Sequence, residues 1–130
     1  MNASNREKRD ISLLWITSGI IRTEFVPARC EQIPAWLRKD AKTVFEWGYD
    51  MPRPIRDLKI DGEAISGTLS FRMGAVIYEC IIPWEAVYII SSKPLGQVAV
   101  WKEDMPASVQ SDLEAAARRA RFSVARGGLS

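Results

Sequence analysis

The sequence predicts a mainly β fold, a small strongly bent sheet or partly open barrel with a helix at each end. Residues 63–73 alternate apolar and polar side chains, which indicates a strand with one buried face. Six or seven short strand-like segments are separated by turn residues, and helical spacing occurs only near the two ends. The buried face of 63–73 is predicted to carry Ile65, Gly67, Leu69, Phe71 and Met73.

The first half of the chain is predicted to contain one helix and two strands. Ser4 and Glu7 have the spacing of a capping box, and a helix over 5–18 would end at Ser18-Gly19. A strand over 20–26 ends at Pro27, and a connection over 27–42 contains one helical turn around residues 35–37. Residues 43–47 are rich in β-branched and aromatic side chains, which favour a strand.

The second half is predicted to contain most of the strands and the second helix. Asp61-Gly62 is a hairpin signal, and Gly74 permits a tight turn between strands over 63–73 and 76–82. Further strands follow near 86–90 and 97–101, and a helix runs from 106–108 to about residue 121. We therefore expect one domain over 1–121 and a flexible tail over 122–130.

Composition argues against an enzyme. The 130 residues contain no histidine, so Cys30 and Cys80 lack the imidazole partner that would generate a thiolate. The net charge of +2 is small and gives little support to a protein that binds a phosphate backbone. Asp57, Asp61 and Glu63 are interpreted as solvated turn residues. We expect no catalytic residue, no metal and no cofactor, and the lack of a signal peptide or membrane-spanning run predicts a cytoplasmic protein.

Aromatic side chains are numerous for a domain of this size. Most are expected in the core, while a few should line a groove or a dimer contact, where aromatic anchors contribute strongly to binding. The set comprises Trp36, Phe45, Trp47, Tyr49, Phe71, Tyr78, Trp84, Tyr88 and Trp101.

The order of motifs resembles that of the stringent starvation protein B family. Residues 73–90, Met-Gly-Ala-Val-Ile-Tyr-Glu-Cys-Ile-Ile-Pro-Trp-Glu-Ala-Val-Tyr-Ile-Ile, are similar without gaps to its pattern of an aromatic, two small residues, a strand and Val-Pro-x-x-Ala-Val-x-x-Ile. Upstream, Ile-Pro-Ala-Trp-Leu-Arg-Lys-Asp over 33–40 and Val-Phe-Glu-Trp over 44–47 resemble its Val-Pro, charged turn and next strand.

This resemblance implies a bacterial adaptor with an Sm-like bent barrel that binds ssrA-type C-terminal degradation tags and delivers the tagged proteins to the ClpXP protease, with ClpX as a partner. It implies a homodimer formed through the N-terminal helix, where Ile11, Leu14 and Trp15 share a face. Arg72 would meet a peptide carboxylate or backbone acceptor. The peptide-binding residues implied are Arg72, Met73, Gly74, Ala75, Val76, Tyr78 and Glu79.

Two departures from the family and two alternatives accompany this hypothesis. Met73-Gly74-Ala75 replaces the usual aromatic-Gly-Gly, and an Ala-Arg helix replaces the long acidic tail that ends in the docking motif. An Sm-like module for single-stranded RNA would use basic side chains near the C-terminus. The basic side chains of this RNA hypothesis are Arg118, Arg119, Arg121 and Arg126. The other alternative, a dimeric scaffold without a ligand, would have a sealed sheet face.

Overall fold

The structure is a computed structural model that describes residues 2–51 and 54–128, with side chains up to Ala120. Two α-helices flank the strands, α1 over Ala3–Trp15 and α2 over Ala107–Gly128. The strands are β1 (Ile21–Phe25), β2 (Thr43–Trp47), β3 (Lys59–Ile60), β4 (Ala64–Phe71), β5 (Val76–Pro83), β6 (Val87–Ser92) and β7 (Gln97–Val100).

The strands form two antiparallel sheets. One sheet has four strands in the order β2-β1-β6-β7, and the other has three in the order β3-β4-β5. A single bridge between Gln32 and Ile81 extends the second sheet beside β5. The prediction of a mainly β fold with flanking helices is confirmed, and in the described part of the chain the sheets do not close into a barrel.

The N-terminal helix begins earlier than predicted. Asn2 is its N-cap, and the Asn2 side chain accepts a hydrogen bond of 2.7 Å from the backbone N–H of Asn5. Ser4 lies inside the helix and its hydroxyl donates to Glu103 Oε1 at 3.0 Å, so the predicted capping box at Ser4 is wrong. The helix gives way to a 3₁₀ turn over Ile16–Ser18, and Gly19 follows at a φ of 136°.

One face of α1 packs against the domain itself. Lys8 and Ser12 are fully buried, and Ile11 and Trp15 pack against the main core. Leu14 is 66% exposed, so the three residues predicted at a dimer interface do not share one environment. Whether this helix forms a dimer contact stays a prediction.

The main core lies between the two sheets. Ile21, Phe25 and Ile90 from the four-stranded sheet meet Ile65 and Ile82 from the three-stranded sheet, and all five are fully buried. Burial of these side chains supplies the main driving force for bringing the two sheets together.

Two fully buried tryptophans satisfy their polar atoms inside this core. The indole N–H of Trp47 donates to Thr23 Oγ1 at 2.9 Å, and that of Trp84 donates to Asp61 O at 2.7 Å. Since an unpaired buried donor costs about 1–3 kcal/mol, both bonds help to define the packing.

A smaller cluster on β6 holds the start of α2. Tyr88 is fully buried and packs with Met105 and with Val109, the buried residue of the first turn of α2. Beyond this contact α2 continues to Gly128, past the predicted end at about Arg121. The last two residues of the predicted tail lie outside the described residues.

The hairpin between β4 and β5 differs from prediction at its tip. Arg72 and Met73 have left-handed φ angles of 51° and 57°, so β4 ends at Phe71 and not at residue 73. Met73 is 92% exposed, which corrects its assignment to the buried face of the strand. Ile65 and Gly67 are buried, and Leu69 and Phe71 pack against the core as predicted.

Candidate functional site

A groove of about 410 Å³ separates β2 from the distal half of β4. It is called the edge groove here, because a strand edge borders it on each side. Apolar and aromatic side chains form most of its lining, with hydroxyl groups and one carboxylate among them. The lining consists of Leu37, Thr43, Val44, Phe45, Glu46, Met51, Pro54, Ile55, Thr68, Leu69, Ser70 and Phe71.

The first border is the outer edge of β2. Within the described residues β2 pairs only with β1, from Thr43 opposite Phe25 to Trp47 opposite Ile21. Gly48 O accepts a hydrogen bond of 3.2 Å from Ile55 N on the other side. Backbone groups alternate in direction along a strand, so the N–H and C=O groups of Val44 and Glu46 also point outward. These groups are available to a further strand.

The second border is the edge of β4 beyond its short neighbour. β3 pairs only with Ile65 and Ser66, which leaves the distal half of β4 without a strand partner on that side among the described residues. Asp57 takes the place of a strand at Thr68, where its carboxylate accepts from the backbone N–H at 2.9 Å and from the hydroxyl at 2.7 Å. Ser70 is the next residue whose backbone groups face the groove.

The Asp57 carboxylate is held in its charged form by these two contacts. The hydrogen bond from the Thr68 hydroxyl and then the bond from the Thr68 N–H lower the pKa of Asp57. Asp57 is exposed, so solvent screens much of this effect. Its main consequence is geometric, since it occupies one N–H donor at the edge of the groove.

Aromatic rings build the floor of the groove and continue beyond it. Phe45 and Phe71 lie with their ring centroids 5.7 Å apart, one from each border. Trp36 meets Phe71 edge-on at 5.9 Å, and the Arg72 guanidinium lies 4.4 Å from the centroid of the Trp36 ring. A cationic group therefore stands next to the apolar floor at one end.

Gly67 allows Ile55, one of the groove-lining residues, to pack directly against β4. A Cβ atom at this position would lie 2.5 Å from Ile55 Cγ2, which is far inside van der Waals contact. Only glycine allows the buried Ile55 side chain to press against β4 at this point. The glycine predicted on the buried face of β4 thus shapes one wall of the groove.

The predicted peptide-binding residues occupy the adjacent hairpin and not the groove lining. Val76 pairs with Phe71 and Tyr78 pairs with Leu69, so both lie on the same sheet face as these two groove-lining residues, one strand farther out. Tyr78 is 37% exposed.

The rest of the predicted set faces solvent around the turn. Met73, Gly74 and Ala75 are exposed at the tip, and the side chain of Glu79 is exposed on the opposite sheet face from Tyr78. The backbone carbonyl of Glu79 accepts a hydrogen bond from Gln32 Nε2 at 3.2 Å. The Arg72 side chain reaches the groove through Trp36, whose ring meets that of Phe71. The role of all seven stays a prediction.

Sequence reasoning missed the β2 side of the groove and the function of Asp57. Asp61 behaves as a turn residue, because its carboxylate accepts from the backbone N–H groups of Glu63 and Ala64 at 2.9 and 3.0 Å. Asp57 instead reaches from the turn before β3 to Thr68 on β4. No local pattern signals such a contact.

Two kinds of reactive group can be assessed among the described residues, clusters of possible metal ligands and cysteine thiols. They contain no group of three or more His, Cys, Asp or Glu side chains placed to hold a metal ion. Cys30 and Cys80 are buried, and burial raises the pKa of each thiol to about 12. Neither thiol forms a thiolate near neutral pH. No described helix is long and apolar enough to cross a bilayer.

The cationic side chains considered for RNA binding lie on α2. Arg118 and Arg119 are exposed there, whereas the side chains of Arg121 and Arg126 lie outside the described part of the chain.

Compared with models of known protein families and with the sequences of curated proteins, the chain matches none.

Proposed function

We propose that this chain is a non-enzymatic adaptor module that binds an extended peptide, the C-terminal degradation tag of a client protein, in the edge groove. The observation that carries the proposal is the apolar groove bordered by two strand edges, where Val44, Glu46 and Ser70 have no strand partner on the groove side among the described residues. The further assignment to an Sm-like adaptor that serves the ClpXP protease rests on the resemblance of residues 73–90 to stringent starvation protein B.

An extended peptide would bind this groove as an added strand. Its backbone would pair with Val44 and Glu46 on β2, because Asp57 already occupies the Thr68 N–H on β4, and each bond would contribute about 1 kcal/mol. Alternate side chains of the peptide would point to the floor around Phe45 and Phe71. Backbone pairing supplies affinity, and the apolar floor selects small or apolar side chains.

Arg72 fits the role of a carboxylate partner at one end of the groove. Its guanidinium lies over the Trp36 ring, and the five N–H donors of the planar group lie in its own plane. A peptide carboxylate could accept two of them in parallel. This would fix the direction in which a C-terminal tag enters the groove.

Fluorescence anisotropy with labelled peptides ending in Leu-Ala-Ala tests the binding step. Val44→Pro removes an N–H that faces the groove and adds a ring at an edge position where proline is tolerated, so it should weaken binding at least about fivefold, the equivalent of one lost bond of about 1 kcal/mol. Val98→Pro makes the same change on β7, the opposite edge of the same sheet, and should bind like the wild type. Circular dichroism would verify that both variants are folded.

Two results would contradict the binding proposal. One is the absence of saturable binding to any degradation-tag peptide by the wild type. The other is binding that the Val44→Pro variant retains in full. Delivery is tested separately with purified ClpXP, where the module should accelerate degradation of a tagged substrate. Binding without acceleration would restrict the protein to peptide capture.

A further inference from the structure

Within the described part of the chain, β7 is a sheet edge that no further strand covers. Its sequence Gln97-Val98-Ala99-Val100 has no charge and no proline, and its pairing with β6 runs without a register shift. Natural edge strands generally carry charges, proline or a bulge that prevent pairing with other chains. The edge of β5, by contrast, is partly covered by Gln32, whose backbone C=O accepts from Ile81 N at 3.0 Å.

The exposed groups of β7 are both polar and apolar. Trp101 N donates to Tyr88 O at 2.8 Å, so Ala99 and Trp101 direct their backbone groups toward β6. The alternation places the N–H and C=O groups of Val98 and Val100 on the free edge. The side chains of these valines are 64% and 46% exposed on one sheet face.

We propose that β7 pairs with β7 of a second copy of this chain, antiparallel about a two-fold axis at Ala99. Val98 of each copy then faces Val100 of the other, and each of these two pairs exchanges two backbone hydrogen bonds. The two four-stranded sheets become one continuous sheet. Four valine side chains cluster across the axis on one face, which removes their exposed apolar surface from water.

Charge and symmetry favour a second copy as the occupant of this edge. A strand without charges brings no like charges together when it meets itself across a two-fold axis. Exposed Lys93 precedes β7 and exposed Glu103 follows it, so antiparallel pairing brings Lys93 of each copy toward Glu103 of the other. Leu14 on α1 is exposed, but Ile11 and Trp15 beside it belong to the core.

Sedimentation equilibrium over a concentration series tests this interface without reference to peptide binding. An edge of four residues buries less than the roughly 1,200 Å² of a standard interface, so we expect a reversible dimer. The wild type and the Val44→Pro and Leu14→Lys variants should dimerise with concentration, whereas Val98→Pro should stay monomeric. A monomeric wild type at all concentrations, or a Val98→Pro variant that dimerises like the wild type, would overturn the proposal.

Amide hydrogen exchange supplies a test that needs no substitution. Exchange at the N–H groups of Val98 and Val100 should slow as protein concentration rises, because dimerisation pairs them. The N–H of Ile77, an exposed residue on β5, serves as the internal reference and should not change. Exchange at Val98 and Val100 that does not depend on concentration would refute β7 pairing even if every variant failed to fold.

Discussion

The ion pair between α1 and the segment before α2 offers a quantitative test of how the N-terminal helix is held. Lys8 is fully buried, and its Nζ donates to Asp104 Oδ2 at 2.6 Å and to Trp84 O at 2.7 Å. The same ammonium group lies 5.5 Å from the centroid of the Trp101 ring. The Asp104 side chain is 23% exposed. Water is thus excluded from the Lys8 ammonium group but still reaches the Asp104 carboxylate.

This asymmetry predicts unequal costs for removing the two partners. Asp104→Ala leaves a buried ammonium group without its counter-charge, which should lower the free energy of unfolding by about 3 kcal/mol, the low end for a broken buried pair. The low end applies because Trp84 O and the Trp101 ring remain. Lys8→Met leaves a carboxylate that water can reach and one carbonyl without its donor, which should cost about 1–2 kcal/mol.

Urea unfolding followed by circular dichroism measures both costs. The Asp104→Ala variant should also melt about 10 °C below the wild type. Combining Asp104→Ala with Lys8→Met should cost little more than Lys8→Met alone, because no buried charge is then left unpaired. The reasoning is refuted if Lys8→Met is the more damaging single change, or if the two costs add in the double variant.

Two substitutions and one labelling experiment test the groove and the core. Gly67→Ala should lower the free energy of unfolding by about 1–3 kcal/mol through its clash with Ile55. Urea unfolding of the double variant Gly67→Ala, Ile55→Ala should show a smaller loss than the sum of the two single-variant losses. Additive losses would contradict the clash. Asp57→Asn should destabilise the fold slightly above the ordinary carboxyl pKa, because the bonds from Thr68 lower the pKa of Asp57 when folded. Thermal melts at several pH values should show this difference disappearing as the pH falls through the lowered pKa, and a pH-independent difference would exclude the mechanism. Both cysteines should react with a thiol reagent only in denaturant at mildly alkaline pH, because burial raises each pKa to about 12; rapid labelling of the native protein would show that a thiol is accessible.

Local chemistry made some elements of this fold predictable from sequence. The strand over 43–47 and the helical turn over 35–37 occur where composition and proline placement predicted them. Neighbouring residues mark their boundaries, such as Gly48 after the strand and Pro34 before the turn. The hairpin tip was harder, because Arg72 and Met73 adopt left-handed angles that their residue types do not signal.

The groove depends on pairings between distant segments, which local patterns do not encode. β1 pairs with β6, a strand that lies far along the chain. This long-range pairing places β2 at the end of the four-stranded sheet, and β3, β4 and β5 form the second sheet. Lys8 was equally unpredictable from local pattern, because a lysine on an amphipathic helix ordinarily faces solvent. Its burial depends on hydrogen bonds to Trp84 O and Asp104 Oδ2, which are distant in sequence. Helical spacing grouped Ile11 with Trp15 correctly but could not distinguish a core face from a dimer face.

Among the residues that the structure describes, no strand pairs with the outer edge of β2 or of β7 in the four-stranded sheet, and this has a consequence for assembly. If β7 of one molecule paired with β2 of the next, the contact would repeat without closing and would build a filament. The groove opposes that outcome, because Ile55 and the distal half of β4 stand beside β2 and admit a single extended chain more readily than the edge of a folded sheet. The proposed pairing of β7 with itself would instead use up that edge in one step, and the assembly would stop at two molecules.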